Sequence, residues 1–312
     1  MKKKLIAMIL TGSMLTATFA GCGSTSSGSS NTATSASTTV ASSASASSTL
    51  TLDEIKKKGQ LVVATEAAYE PFEYLDDDGE TIIGYNADLF NQICDDLGVK
   101  LVYQDLPFQG ILAGLDAHKY DVVGATLGIT AERAKSYTMT EPIEKGTTVL
   151  IKRKGDNNFT SLDDVNGTIV GTQTSCYNET DMKNFNKELK SKGGKGYSDL
   201  KTYDHFTEAY SELTNKQIDL VAQNYASAAS LVKKYPDQFE IVTNSDGKPA
   251  YVTNTDVWLG WAVRKSDSEL ADYINSEIEK FKENGFLKKE QKKWFGQTVD
   301  LPSDNYIPES DS

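Results

Sequence analysis

Short β-branched and apolar runs alternate along this chain with segments of helical hydrophobic spacing, from residue 50 almost to the C-terminus. That alternation argues for α/β units with parallel strands. The strand runs are 61–65, 100–103, 121–124, 147–152, 168–171, 200–203, 218–222 and 258–263. The helical segments are 86–97, 109–117, 177–190, 206–215, 226–235 and 267–284. In the last of these Leu270, Ile274, Ile278 and Phe281 fall at helical spacing behind a capping box, Ser266-Asp267-Ser268-Glu269. Another box opens the folded part at Thr51-Leu52-Asp53-Glu54, with Leu50 and Ile55 placed as its hydrophobic staple.

Ahead of that part the chain reads differently. Lys2, Lys3 and Lys4 precede an apolar run, Leu5 to Leu10, and small residues lead to Phe19-Ala20-Gly21-Cys22. This is the layout of a secretory signal, too short for a membrane span. The cut site resembles a bacterial lipobox, with Phe19 where leucine is usual; it implies a signal over 1–21 and lipidation of Cys22. Residues 22–49 are almost entirely Ser, Thr, Ala and Gly. Such a segment buries too little apolar surface to fold and is expected to tether the rest, with a reach of roughly 30 Å over roughly 27 residues.

The remainder is long enough for two lobes with their own cores. A net charge of −12 argues against nucleic acid as a partner. It leaves an anionic ligand open, since a cleft responds to local charge. Cys94 lies on the apolar stripe Ala87, Phe90, Ile93, Leu97 and reads as a buried small hydrophobe. His118 and His205 stand far apart, so neither a His/Cys metal site nor a cofactor is expected.

Seven motifs then occur in one order. They are Leu61-Val-Val-Ala-Thr-Glu-Ala-Ala-Tyr69-Glu-Pro-Phe72-Glu-Tyr74, Gly84-Tyr-Asn-Ala-Asp-Leu89, Phe108-Gln-Gly-Ile-Leu-Ala-Gly-Leu115, Tyr120-Asp121-Val-Val, Gly128-Ile-Thr-Ala-Glu-Arg133, Val170-Gly-Thr-Gln-Thr174 and Lys293-Trp-Phe-Gly296. Together they resemble the extracellular solute-binding proteins of ABC importers for polar amino acids, the bacterial solute-binding protein family 3. The resemblance implies a two-lobed periplasmic-binding-protein-like α/β fold of type II, with two hinge crossings and a ligand cleft between the lobes. Lobe one is expected at 50–144 plus 262–304, lobe two at 145–261, with a tail at 305–312. The strands 147–152 and 258–263 would form the hinge. Ligands of open α/β sheets sit beyond the carboxyl ends of the strands, so two facing lobes make a cleft.

Arg133 is the leading candidate for a ligand contact. Arginine stands only at 133, 153 and 264 among 32 basic residues. Arg153 and Arg264 neighbour lysines and read as surface charges, whereas Arg133 follows a short strand, and its planar fork suits a carboxylate. By resemblance, Arg133 takes the α-carboxylate. Backbone N–H groups of the strand-to-helix turn at Ser175, Cys176 and Tyr177 would complete that contact. The family has glycine at the first of these positions and hydroxyl residues at the other two. Cys176 at a helix start could have a lowered thiol pKa; a small residue tolerated beside the ligand is the favoured reading. Phe108 is the family's stacking aromatic, while Tyr69 is equally a platform or core. Glu66 sits where binders of basic amino acids carry an acid, or is a solvated loop carboxylate.

For the ligand's amino group the pattern departs, with Asn224 in place of an aspartate and Gly128 in place of a hydroxyl residue. Thr126 and the Ala125 carbonyl are further acceptors. The expected function is capture of a small carboxylate-bearing solute, a polar amino acid, and its delivery to an ABC permease. The protein is expected to be a monomer, without catalysis, lipid-anchored at the outer face of the cell membrane. Two alternatives are a dehydratase-like enzyme using Glu66, Glu73 or Glu141 as acid or base, and a sensing module for a receptor.

Overall fold

The computed structural model describes residues 49–253 and 257–309. The signal segment, Cys22 and all of the tether but its last residue lie outside the described residues, as does the end of the tail. In chain order come α1 (Leu52–Lys58), β1 (Gln60–Thr65), β2 (Ala68–Tyr69), β3 (Glu73–Leu75), β4 (Ile82–Ile83), α2 (Tyr85–Leu97), β5 (Lys100–Asp105) and α3 (Ile111–Asp116). They are followed by β6 (Val122–Gly128), α4 (Ala131–Ser136), β7 (Tyr137–Met139), β8 (Glu144–Gly146), β9 (Thr148–Arg153), β10 (Ile169–Gln173), α5 (Tyr177–Ser191) and β11 (Asp199–Tyr203). The chain ends with α6 (Phe206–Thr214), β12 (Leu220–Asn224), α7 (Tyr225–Lys234), β13 (Phe239–Ile241), β14 (Val257–Arg264), α8 (Ser268–Glu283) and α9 (Phe286–Phe295).

Two larger sheets form the lobes. One runs β5-β1-β6-β14-β7, with β8 also on β14, and the other runs β11-β10-β12-β9-β13. Strands β1, β5 and β6 are parallel, as are β10, β11 and β12. By contrast β14 runs antiparallel to β6, β7 and β8, and β9 antiparallel to β12 and β13. The parallel strands expected from the alternation are present in both sheets, each completed by antiparallel ones. Both β9 and β14 follow a crossing, so they enter their sheet at the end where the parallel strands finish.

The crossing points differ slightly from those read from the sequence. Residues 257–259 of β14 pair with β8, and β14 continues within the first sheet. Residues 145–146 and 257–261, expected in lobe two, thus pair in the first sheet. The chain leaves that sheet after Gly146 and rejoins it at Val257, while β9 belongs wholly to the second.

Local chemistry explains the elements. Thr51 and Glu54 close a reciprocal box on α1, whose C-cap Gly59 is left-handed (φ 72). The predicted box on α8 does not form. Asp267 makes no side-chain cap; instead its carboxylate, fully buried, binds Arg264 (2.6 Å) and accepts from the Leu50 amide (3.1 Å). Arg264 is accordingly no surface charge: it also donates to the carbonyls of Leu115 and Tyr120, and anchors α3 to β14. Arg153 likewise donates to the Leu213 and Ile218 carbonyls. Leu270, Ile274, Ile278 and Phe281 all face the core, as the spacing predicts. Cys94 is buried, and burial pushes its thiol up to about 12.

Candidate functional site

The C-terminal ends of β1, β6, β10 and β12 bring Glu66, Gly128, Gln173 and Asn224 to the region between the sheets. A small cavity of about 10 Å³ lies there, room for about one water. Glu66, Tyr69, Glu73, Phe108 and Thr126 line it from the first lobe; Gln173, Cys176, Tyr177, Asn178 and Phe206 line it from the second.

Glu66 is no solvated loop carboxylate. It is 3% exposed, with one oxygen 2.5 Å from His205 Nδ1 and the other accepting from Gln173 Nε2 at 2.6 Å. Burial raises its pKa above the ordinary range, against those two hydrogen bonds. For His205 burial acts downward, but the Glu66 bond and charge outweigh it and raise the imidazole. Glu73 is buried beside it, accepting from the Thr126 amide (2.9 Å), the Thr126 hydroxyl (2.9 Å) and Asn86 Nδ2 (2.8 Å). Its carboxyl is raised well above normal by burial. Thr126 thus spends both its donors on Glu73. Glu141, the third candidate acid, pairs with Lys282 at 2.5 Å and is not among the lining residues.

Arg133 stands in α4, where Thr130 Oγ1 caps its amide at 3.1 Å. Its Nη1 donates to the Gly128 carbonyl (2.7 Å), its Nη2 to the Ser175 carbonyl (3.0 Å), and its guanidinium carbon lies 6.0 Å from the centre of the Phe108 ring. It therefore spans the lobes beside the cavity without being in its wall. Burial lowers its pKa, yet leaves it a cation at any ordinary pH.

Several expectations for the second lobe change. Ser175 is left-handed (φ 64), and its amide is taken by Glu179 at 2.8 Å, while the Thr174 amide binds the Tyr203 carbonyl at 2.8 Å. The row of free amides is thus partly consumed internally. Cys176 is the N-cap residue of α5 but makes no side-chain cap; burial raises its thiol to about 11, and its Sγ donates to the Gln173 carbonyl at 3.1 Å. Burial thus acts against the lowered thiol pKa that a reactive cysteine would need. Asn224 offers no open carbonyl: Oδ1 caps the Ala226 amide (2.7 Å), and Nδ2 donates to the Tyr177 hydroxyl (2.8 Å). Ala125 is fully buried in the core and does not line the cavity.

Tyr177 occupies the space those residues leave. A Cβ on Gly128 would lie 2.9 Å from Tyr177 Cβ, and one on Gly146 would lie 3.1 Å from its ring. Both glycines are therefore what allows the tyrosine to seat. Asn178 was missed by sequence reasoning. It is fully buried, donates from Nδ2 to Thr148 Oγ1 at 2.7 Å, and its Oδ1 has no partner among the described residues. An unpaired buried acceptor is costly, so a donor on a ligand would relieve it. Gln173, Phe206 and His205 were missed as well. Only Gln173 carried a signal, its place in the Gly-Thr-Gln-Thr turn.

Among the described residues, six side-chain contacts cross between the lobes. Besides Glu66–Gln173, Glu66–His205 and Arg133–Ser175, Tyr69 Oη donates to Gln223 Oε1 (3.2 Å). Glu70 accepts from Ser230 (3.0 Å) and Lys234 (2.6 Å). A family model for bacterial extracellular solute-binding proteins, family 3, matches residues 61–297. The chain belongs to that family. This family 3 protein is 27% identical to the L-cystine-binding protein TcyA of Bacillus subtilis, over 96% of this chain and 99% of the relative. It is 28% identical to the arginine-binding extracellular protein ArtP of the same organism, over 95% and 98%. Among solved structures, the ancestral amino acid-binding protein AncCDT-1, a precursor of cyclohexadienyl dehydratase, superposes with a TM-score of 0.68. It shares 28% identity over 78% of this chain and 99% of that one. The two-lobed α/β fold and membership in an extracellular binding family follow. Among the described residues, no helix is long and apolar enough to cross a membrane.

Proposed function

We propose that this chain captures a polar amino acid between its lobes and presents the closed form to the permease of an ABC importer. The observation that carries the reading is the set of cross-lobe contacts beside one small inter-lobe cavity, which couples closure of the lobes to ligand enclosure. The ligand's carboxylate exchanges for the Gly128 and Ser175 carbonyls on Arg133. A charged acceptor makes a bond about twice as strong as a neutral one. Its ammonium group finds acceptors in Asn178 Oδ1 and Glu66, and Phe108 and Tyr69 flank its side chain. Tyr177 narrows the wall beside Gly128, so the ligand opens the lobes before it is enclosed. Cystine- and arginine-binding relatives support an amino acid as cargo. The chain works as a monomer, tethered through lipid on Cys22 at the outer face of the cell membrane.

A second reading, dehydratase-like turnover, draws on Glu66 and Glu73 lining one cavity with raised pKa values. A thermal-shift panel of the twenty amino acids, cystine and ornithine separates these. The expected result is that one chemical group of ligands stabilises the protein, by about 2.7 kcal/mol at a hundredfold excess over Kd, and is recovered unchanged by mass spectrometry. A panel without response contradicts capture, and a recovered product supports the enzyme.

A further inference from the structure

Charge is satisfied unevenly around the inter-lobe cavity. The cation beside it, Arg133, donates through both Nη atoms to neutral carbonyls. The two carboxylates in its wall, Glu66 and Glu73, already have strong donors. Glu73 takes the Thr126 amide, the Thr126 hydroxyl and Asn86 Nδ2, all within its own lobe. Glu66 takes both of its donors from the opposite lobe, Gln173 Nε2 at 2.6 Å and His205 Nδ1 at 2.5 Å.

His205 differs from Gln173 in that it can carry a charge. It is the N-cap residue of α6, and its amide and that of Asp204 donate to Glu208 at 3.2 and 3.1 Å. Those bonds fix the turn that carries the ring across the lobe boundary onto Glu66. The Glu66 side chain is 4% exposed and that of His205 35%, so water reaches the imidazole and not the carboxylate. The groups facing this pair are otherwise acidic or phenolic. Asp105, Glu73 and Tyr210 face Glu66, while Asp204 and Glu208 face His205. In that setting the ring keeps its proton above the ordinary histidine range, because the Glu66 bond and charge outweigh its burial.

We infer that His205 is a specificity-determining residue: reaching over from the second lobe it neutralises Glu66, and so turns the closed site against amino acids with a cationic side chain. Glu66 still accepts a hydrogen bond from the ligand's ammonium group, but the pair has no net charge left for a second cation. A cationic side chain must either displace the imidazole from a buried carboxylate or be enclosed without a counter-charge, and both are costly. The discrimination therefore comes from a repulsive element and not from an added contact. It depends on one proton, since an imidazole that loses it leaves the Glu66 charge to the ligand. The inference rests on the amino-acid capture proposed above, and adds how that site selects by charge.

Calorimetry with L-citrulline and L-arginine, close in shape and different by one charge, tests it on the full chain. At pH 6 wild type should bind citrulline at least about tenfold more tightly than arginine. That preference should shrink several-fold by about pH 8.5, as the imidazole gives up its proton. His205→Gln, which keeps a donor without the charge, should narrow the preference about tenfold at pH 6 and remove its pH dependence. A histidine that only held the turn would move both ligands together and leave their ratio unchanged at every pH. Wild type that binds arginine as tightly as citrulline at pH 6, or with a ratio that pH does not move, overturns the inference and leaves amino-acid capture intact. The wild-type series decides this even where the variant fails to fold. Binding of neither compound by a protein that responds to another amino acid also overturns it, and response to no amino acid overturns both readings.

Discussion

Arg133 rests on two neutral carbonyls, one from each lobe, while burial raises the pKa of the Glu73 carboxyl and of the Tyr69 and Tyr177 phenols. The site therefore joins one fixed cation to groups that burial biases toward their neutral forms. Glu144, at the entry to the second lobe, behaves the same way. Burial raises it to about 7, against bonds from the Lys145 amide and Gln291. A carboxyl raised above its unfolded value holds a proton that the unfolded chain has released, so folded stability falls as pH rises between the two values. For Glu144 that window runs from 4.5 to about 7. His205 acts in the same direction: its raised pKa gives stability that is full below 6.5 and lost as pH rises through the folded value. The lowered aspartates Asp78, Asp96, Asp156 and Asp164 act oppositely, but only as pH falls below their ordinary 3.8. The melting temperature should therefore be higher at pH 5 than at pH 8. Glu144→Gln should flatten that slope, removing at most about 3 kcal/mol of it. A melting temperature that climbs from pH 5 to pH 8 contradicts this assignment.

At the scale of elements, helix ends and close approaches decide where the chain turns. Gly84, the N-cap of α2, has φ 130, and a Cβ there would lie 2.3 Å from the Phe72 carbonyl. Gly84→Ala should cost about 2 kcal/mol or more in chemical denaturation, and a loss below about 0.5 kcal/mol would show that β3 and α2 are not held by that contact. The same elements explain what could be read from residues alone. The parallel strands β1 and β10 and the helix α8 carry long apolar runs or a regular stripe, so their place and type were legible. Helix α9 was not: Leu287, Glu290 and Gln291 are its buried residues, too polar a face to register as helical spacing. Strands β7, β8 and β13 have three residues each, too few for any period. In the site, Glu66, Phe108 and Thr126 were legible because they follow or open elements of the first lobe. Asn178 and Phe206 were not, since they reach the cavity, and His205 reaches Glu66, only once two lobes distant in sequence meet. Asn224 misled for a related reason, as its carbonyl is spent on capping α7.

For the whole molecule, closure is a balance of small terms. The Glu70–Lys234 and Glu70–Ser230 contacts are partly solvated and individually weak, about 0–1 kcal/mol for such an ion pair. The Glu66–Gln173 contact is buried and the Arg133–Ser175 contact exposed, and in each an ionisable side chain meets a neutral partner, where a ligand can supply the opposite charge. A ligand that supplies that charge binds the closed form better than the open one, and by that difference alone it shifts the molecule toward closure. The two lobes then act as one body only while the cargo is inside, which gives a permease a state to recognise. Titration calorimetry of wild type and Arg133→Ala with the amino acid that gives the largest thermal shift tests this most directly. The account predicts that the variant melts as wild type does without ligand and loses about 2 kcal/mol or more of binding, roughly 30-fold in Kd. An Arg133→Ala protein that binds the same amino acid with wild-type affinity would contradict it.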